Sequence, residues 1–189
     1  MLTTSIKHHT ADAHASLEKV IVGHLKAMQS KEAYLSILHY FYRFIVPVEQ
    51  RIASYLGDSF PQYARRDSKL RLEKDLQLLA PAKKELPGLP VTVNWINHPL
   101  DAAGALYVLE GSSLGAMVIS KMIADKLQIT KEDGIHYFSG YGAETMERWS
   151  VFKNWLNTIA ATPQEEQQVL AAAGTTFNHF KQSILTHVE

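Results

Sequence analysis

Apolar residues recur at steps of three and four along nearly the whole chain, the spacing of amphipathic α-helices. Ile6, Ala13, Leu17, Val20, Ile21, His24, Leu25 and Met28 mark a first helical segment. Ser30 is suited to cap a second, which runs through AYLSILHYFYRFIVPVEQRIASYL and contains Pro47. A proline inside a helix removes a backbone donor, so a kink or a division near Ile45 is expected. A shorter third helix covers Ser68 to Leu79. The stretch APAKKELPGLPVTVNWINHP carries four prolines and a glycine and predicts a loop or irregular crossover.

Pro99 fits the first turn of a further helix, which continues to Leu127. GIHYFSGYGAE is a second Gly-rich connection, and another helix follows in ETMERWSVFKNWLNTIA. Thr162-Pro163-Gln164-Glu165 has the form of a capping box with proline at its first helical position. It opens a last helix expected to reach His187. Alternation with a period of two is weak throughout. The pattern predicts an all-α, multi-helical fold of about six or seven helices, with residues 1–189 forming a single domain.

Composition narrows the function more than the fold. Lysine and arginine total 19 and aspartate and glutamate total 19, so nucleic acid finds no electrostatic support as a partner. There is no cysteine, which excludes disulfides, zinc–thiolate sites, iron–sulfur clusters and a cysteine nucleophile. MLTTSIKHHTADAH lacks the apolar core of a signal peptide, and no uninterrupted apolar run is long enough for a membrane span. The expectation is a cytoplasmic protein without a membrane partner. Nothing demands a dimer. Nine histidines are the one compositional oddity.

The helix from Pro99 to Leu127 holds Gly104, Gly111 and Gly115. Each costs roughly 1 kcal/mol relative to alanine in a helix interior. At 100° per residue the three fall within about 40° of one another, so one stripe of this helix is bare backbone. Two readings fit such a stripe. It permits close helix–helix packing, or it receives a flat, rigid ligand.

His14, in TADAHASLEKVI, shares the apolar face of its helix with Thr10, Leu17, Ile21 and Leu25. Such a histidine is ordinarily a satisfied core or boundary residue, yet its imidazole can also bind a metal in an apolar pocket. Lys7 lies two turns earlier on the same face. The other histidines show no ligand spacing. There is no HExxH, no ExxH pair for a di-iron carboxylate site, no GxSxG and no P-loop. Tyr34, Tyr40, Phe41, Tyr42 and Phe44 form an aromatic run suited mainly to core, with part of it free to wall a pocket.

Taken together, these segments resemble the haem oxygenase family in its bacterial, biliverdin-producing branch. The first is K-x-x-T-x-x-x-H-x-x-L-E, here Lys7, Thr10, His14, Leu17 and Glu18. The second is Y-V-L-E-G-S-S-L-G-A, Tyr107 to Ala116, similar to the family's distal helix. The third is Phe138 to Leu156, similar to a bacterial F-x-G-x-G…W-x-x-F segment. The tail AAAGTTFNHFKQSIL resembles the closing helix.

The resemblance implies O2-dependent cleavage of haem b at a meso carbon to biliverdin, CO and ferrous iron. Electrons would come from an external reductase or ferredoxin, since no flavin or nicotinamide motif is present. It implies His14 as iron ligand, Gly111, Ser112 and Gly115 on the distal wall, and Lys7, Tyr107 and Lys181 as further haem-binding residues, with His179 beside Lys181 as a candidate. Ser112 stands where mammalian-type members carry an aspartate. That difference sustains an alternative, a non-catalytic haem carrier or sensor on the same fold.

Overall fold

The computed structural model describes residues 1–57, 59–60, 62–63, 66–82 and 91–186. Seven α-helices occupy these residues: α1 (Leu2–His9), α2 (Ala11–Ala27), α3 (Lys31–Leu56), α4 (Ser68–Leu79), α5 (Pro99–Leu127), α6 (Thr145–Leu156) and α7 (Pro163–Leu185). No strand occurs among the described residues. The final helix ends at Leu185, and His187 lies outside the described residues. So does much of the proline-rich crossover, residues 83–90.

Two boundaries differ from the sequence pattern, each for a local reason. The first helical segment is broken at Thr10, a buried residue whose hydroxyl donates to the Ile6 carbonyl at 2.7 Å. The hydroxyl shares that acceptor with the Thr10 N–H, which bonds it at 3.0 Å, and the chain turns at Thr10 between α1 and α2. Conversely, α3 continues through Pro47. A proline at this position leaves the carbonyl four residues earlier without its helical donor. Here the Arg43 carbonyl accepts instead from the Val91 N–H at 3.2 Å. A tertiary bond replaces the missing local one, so the helix has no need to divide.

The caps behave as the sequence chemistry requires. Ser30 accepts from the Ala33 N–H at the start of α3. Thr162 and Glu165 form the reciprocal capping box that opens α7. The core is continuous through all seven helices. Phe44 and Phe180 stack at 4.3 Å, with Phe41 set edge-on to Phe180 and Phe138. The aromatic run of α3 is thus mainly core.

α5 is the organising element. It packs most extensively on α7 and then on α3. By length and composition it meets the requirement of a membrane span, although its apolar run is interrupted. Half of that stretch is buried inside the protein, as in a central core helix.

Candidate functional site

The glycine stripe of α5 divides into two parts. A Cβ on Gly104 would run into the Val169 carbonyl oxygen and lie 2.9 Å from the Ala172 Cβ and Ala173 N. Gly104 is therefore where α5 and α7 approach backbone to backbone. A Cβ on Gly111 would meet only the tip of Trp149, at 3.9 Å, and one on Gly115 would meet nothing. These two glycines face open space. The packing reading holds at Gly104, and at Gly111 and Gly115 the stripe borders a cavity.

That open space is a cavity of about 530 Å³ walled by α2, α3, α5, α7 and the connection between α5 and α6. It lies within the range of roughly 300–1,000 Å³ usual for cofactor and small-molecule sites. Leu17, Ile21, Phe41, Ile45, Phe138, Phe177 and Phe180 make much of the lining apolar. Its polar end is formed by Arg66, Asp67, Arg71 and Tyr141.

His14 projects from the first turn of α2 into this cavity. Its ring meets Phe177 edge-on at 5.5 Å. The Glu18 carboxylate lies 3.9 Å from its Nδ1, beyond hydrogen-bond range. The imidazole remains 61% exposed, as an available ligand would be. Tyr107 also lines the cavity, half-buried, with its ring 5.7 Å from that of Trp149. Burial pushes the Tyr107 phenol up, and a hydrogen bond with Thr10 works in the opposite sense.

The two serines between the glycines have committed protons. The Ser112 hydroxyl donates to the Leu109 carbonyl and the Ser113 hydroxyl to the Glu110 carbonyl, each at 2.7 Å. Each oxygen retains lone pairs, so both serines act towards the cavity as acceptors.

The structure thus brings together His14, Tyr107, Gly111, Ser112 and Gly115. Lys7 and Lys181 do not line the cavity. Lys7 is exposed on α1, and the Lys181 ammonium donates to the Ser16 hydroxyl at 3.2 Å. His179 stacks on Trp95 at 4.0 Å, away from the lining.

Other polar groups at the cavity carry no spacing signal in the sequence. Arg66 is buried and bonds two carboxylates, Glu49 from α3 and Glu110 from α5. Arg71 from α4 pairs with Asp67 and donates to the Gly140 carbonyl. Gly140 itself has φ +55°, and a Cβ there would come within 3.4 Å of the Ala116 Cβ. The GYG motif is the visible trace of this close approach to α5. Fully buried Asp75 accepts from the backbone N–H groups of His136 and Tyr137 and contacts the His136 ring, each at 2.8 Å. It pins the start of the same cavity wall.

Among the described residues an all-helical fold thus brings an exposed imidazole and a backbone-bare wall to one apolar cavity. A model of the "Heme oxygenase" family matches residues 1–186, and the chain belongs to the haem oxygenase family, a class of haem-binding enzymes that act with O2. A heme oxygenase of Xanthomonas campestris pv. campestris is 28% identical over 165 residues, covering 84% of this chain and 90% of that relative.

Solved heme oxygenases share the fold. The Neisseria meningitidis enzyme, solved with NO and CO bound, superposes with TM-score 0.85 at 23% identity, over 98% of this chain and 91% of the other. The Leptospira interrogans enzyme gives 0.78 at 19% identity, over 97% and 98%. Heme oxygenase-1 of the cyanobacterium Synechocystis, solved in complex with heme, gives 0.76 at 14% identity, over 98% and 91%.

Proposed function

We propose that this protein binds haem b between α2 and α5, with His14 as the iron ligand, and opens the ring at a meso carbon. The products are biliverdin, CO and ferrous iron. One observation carries this reading: His14 and the bare Gly111/Gly115 wall face the same apolar cavity. When bound, haem supplies the iron at which O2 is reduced and the carbon that is oxidised.

The chain's own residues prepare the site. A neutral His14 presents a nitrogen lone pair, while Phe177 restrains the plane of the imidazole. Gly111 and Gly115 leave room beside the ring where any side chain would intrude. Ser112, acting as an acceptor, can hold a water by one of its protons and leave the other free to donate. Tyr107 and Trp149 close the cavity near Gly111. For Lys7 and Lys181 to meet haem propionates, their side chains must reach in from outside the lining. A single domain spanning 1–189 houses the site. Electrons come from an external reductase or ferredoxin, which fits a cytoplasmic setting.

The test is a titration of the purified protein with haemin, followed by reductant under air. A saturable Soret band and then a green bilin product are expected. A stable haem complex with no bilin would instead establish the carrier reading, and no saturable band would overturn haem binding.

A further inference from the structure

Tyr141, on the cavity wall, is held by four charged side chains. Its hydroxyl lies 3.3 Å from the Arg66 guanidinium, which donates to it. It donates in turn to Glu110 at 3.4 Å. The Arg148 guanidinium from α6 sits over its ring at 3.5 Å, and that of Arg71 from α4 lies 5.3 Å from the ring centre. Arg148 is buried, and its Nε and Nη2 have no hydrogen-bond partner among the described residues. Its contact with the tyrosine face is therefore a large part of what holds it. Arg66 is itself locked between Glu49 and Glu110. Four elements thus converge on one phenol.

Packing alone does not call for such an arrangement, because an apolar ring would fill the same space without two buried ion pairs. The serines of the distal stripe have given their protons to backbone carbonyls. A ligand on the α5 side must take its hydrogen bond from water or from another side chain. The bond that the Tyr141 hydroxyl donates to Glu110 is long, so its proton is cheaply redirected. Burial also pushes the Tyr141 phenol up above its ordinary pKa, with Arg66 opposing and Glu110 reinforcing, so the group stays protonated.

We propose that Tyr141 is a further functional residue of this haem site: its hydroxyl, set by Arg66 and Glu110, donates a hydrogen bond to an oxygen atom held on the α5 side of the cavity. Arg66 and Glu110 are positioning residues. The inference rests on the haem reading above.

The test compares Tyr141→Phe, which keeps the ring on Arg148, with the unaltered protein. Haemin titration comes first: failure of the unaltered protein to bind haem overturns the haem reading itself. The readout is the pH at which the ferric complex changes from its acid to its alkaline visible spectrum. A hydrogen-bond donor favours the alkaline form, so losing it raises this pH by more than about 0.3 unit. Haem affinity stays within about threefold, and bilin formation falls about tenfold. Glu110→Gln removes a neighbouring negative charge and moves the transition the other way. This second variant decides the matter should Tyr141→Phe fail to fold. A smaller shift in Tyr141→Phe, or no downward shift in Glu110→Gln, overturns the proposal.

Discussion

Gly104 meets Val169 with no space for a methyl group, whereas about three turns along the same stripe Gly115 faces open space. The two glycines therefore respond in opposite ways to the same substitution. Gly104→Ala forces α5 away from α7 and destabilises by about 3 kcal/mol, at the upper end of typical overpacking costs. Gly115→Ala meets no obstacle and stabilises by up to about 1 kcal/mol through helix propensity. Its methyl group nevertheless enters the cavity, so bilin formation falls. Denaturant unfolding paired with a turnover assay checks both outcomes.

His14 contributes little to the fold, being 61% exposed and beyond hydrogen-bond range of Glu18. His14→Ala should leave the unfolding midpoint of the haem-free protein within about 0.5 kcal/mol. The same change should abolish the normal Soret spectrum and turnover. Exogenous imidazole added to the variant should restore part of the spectrum by occupying the vacated space.

Lys7 and Lys181 stand outside the cavity lining. In the proposed complex their charges would act on a propionate from exposed or partly exposed positions, where an ion pair contributes roughly 0.2–1 kcal/mol. Lys7→Ala and Lys181→Ala should each weaken haem affinity by no more than about fivefold. The effect should fade at high salt. A haemin titration at two ionic strengths measures it. A loss of a hundredfold would mean that the side chain swings fully into the site.

Alkaline pH should unfold the protein in a definite window. Tyr34, Tyr63, Tyr107, Tyr137 and Tyr141 are all raised, chiefly by burial, and Tyr42 is pushed up to about 12 by burial and its hydrogen bond with Glu73. A raised folded value means that the native state holds these protons more tightly than the unfolded chain. Their contribution is fully present below the unfolded phenol value near 10. It is lost as pH rises from there through 12. Thermal midpoints measured between pH 9 and 12 should fall progressively, and Tyr42→Phe should flatten the decline.

The helices were legible because three- and four-residue spacing is a property of the chain itself. Their ends at Ser30, Pro99 and Thr162 were legible because capping chemistry is local. His14 and the glycines could be singled out for the same reason. What escaped notice depends on contacts between distant segments. Arg66 sits in an irregular connection and acquires meaning only when Glu49, Glu110 and Tyr141 converge on it. Asp75 reads as a surface residue of α4 until His136 and Tyr137 close over it. The break at Thr10 falls in a stretch whose three- and four-residue spacing runs on without interruption.

Pro47 carries a consequence of its own. Because the ring leaves the Arg43 carbonyl without a helical donor, that oxygen is reserved for Val91. An alanine at 47 would restore the local bond and set the helix in competition with the crossover for one acceptor. The gain in helix propensity would then loosen the mooring of a distant stretch of chain beside Phe41 and Ile45, which line the cavity. A residue that looks like a defect in its helix acts as an address, telling the returning chain where to dock.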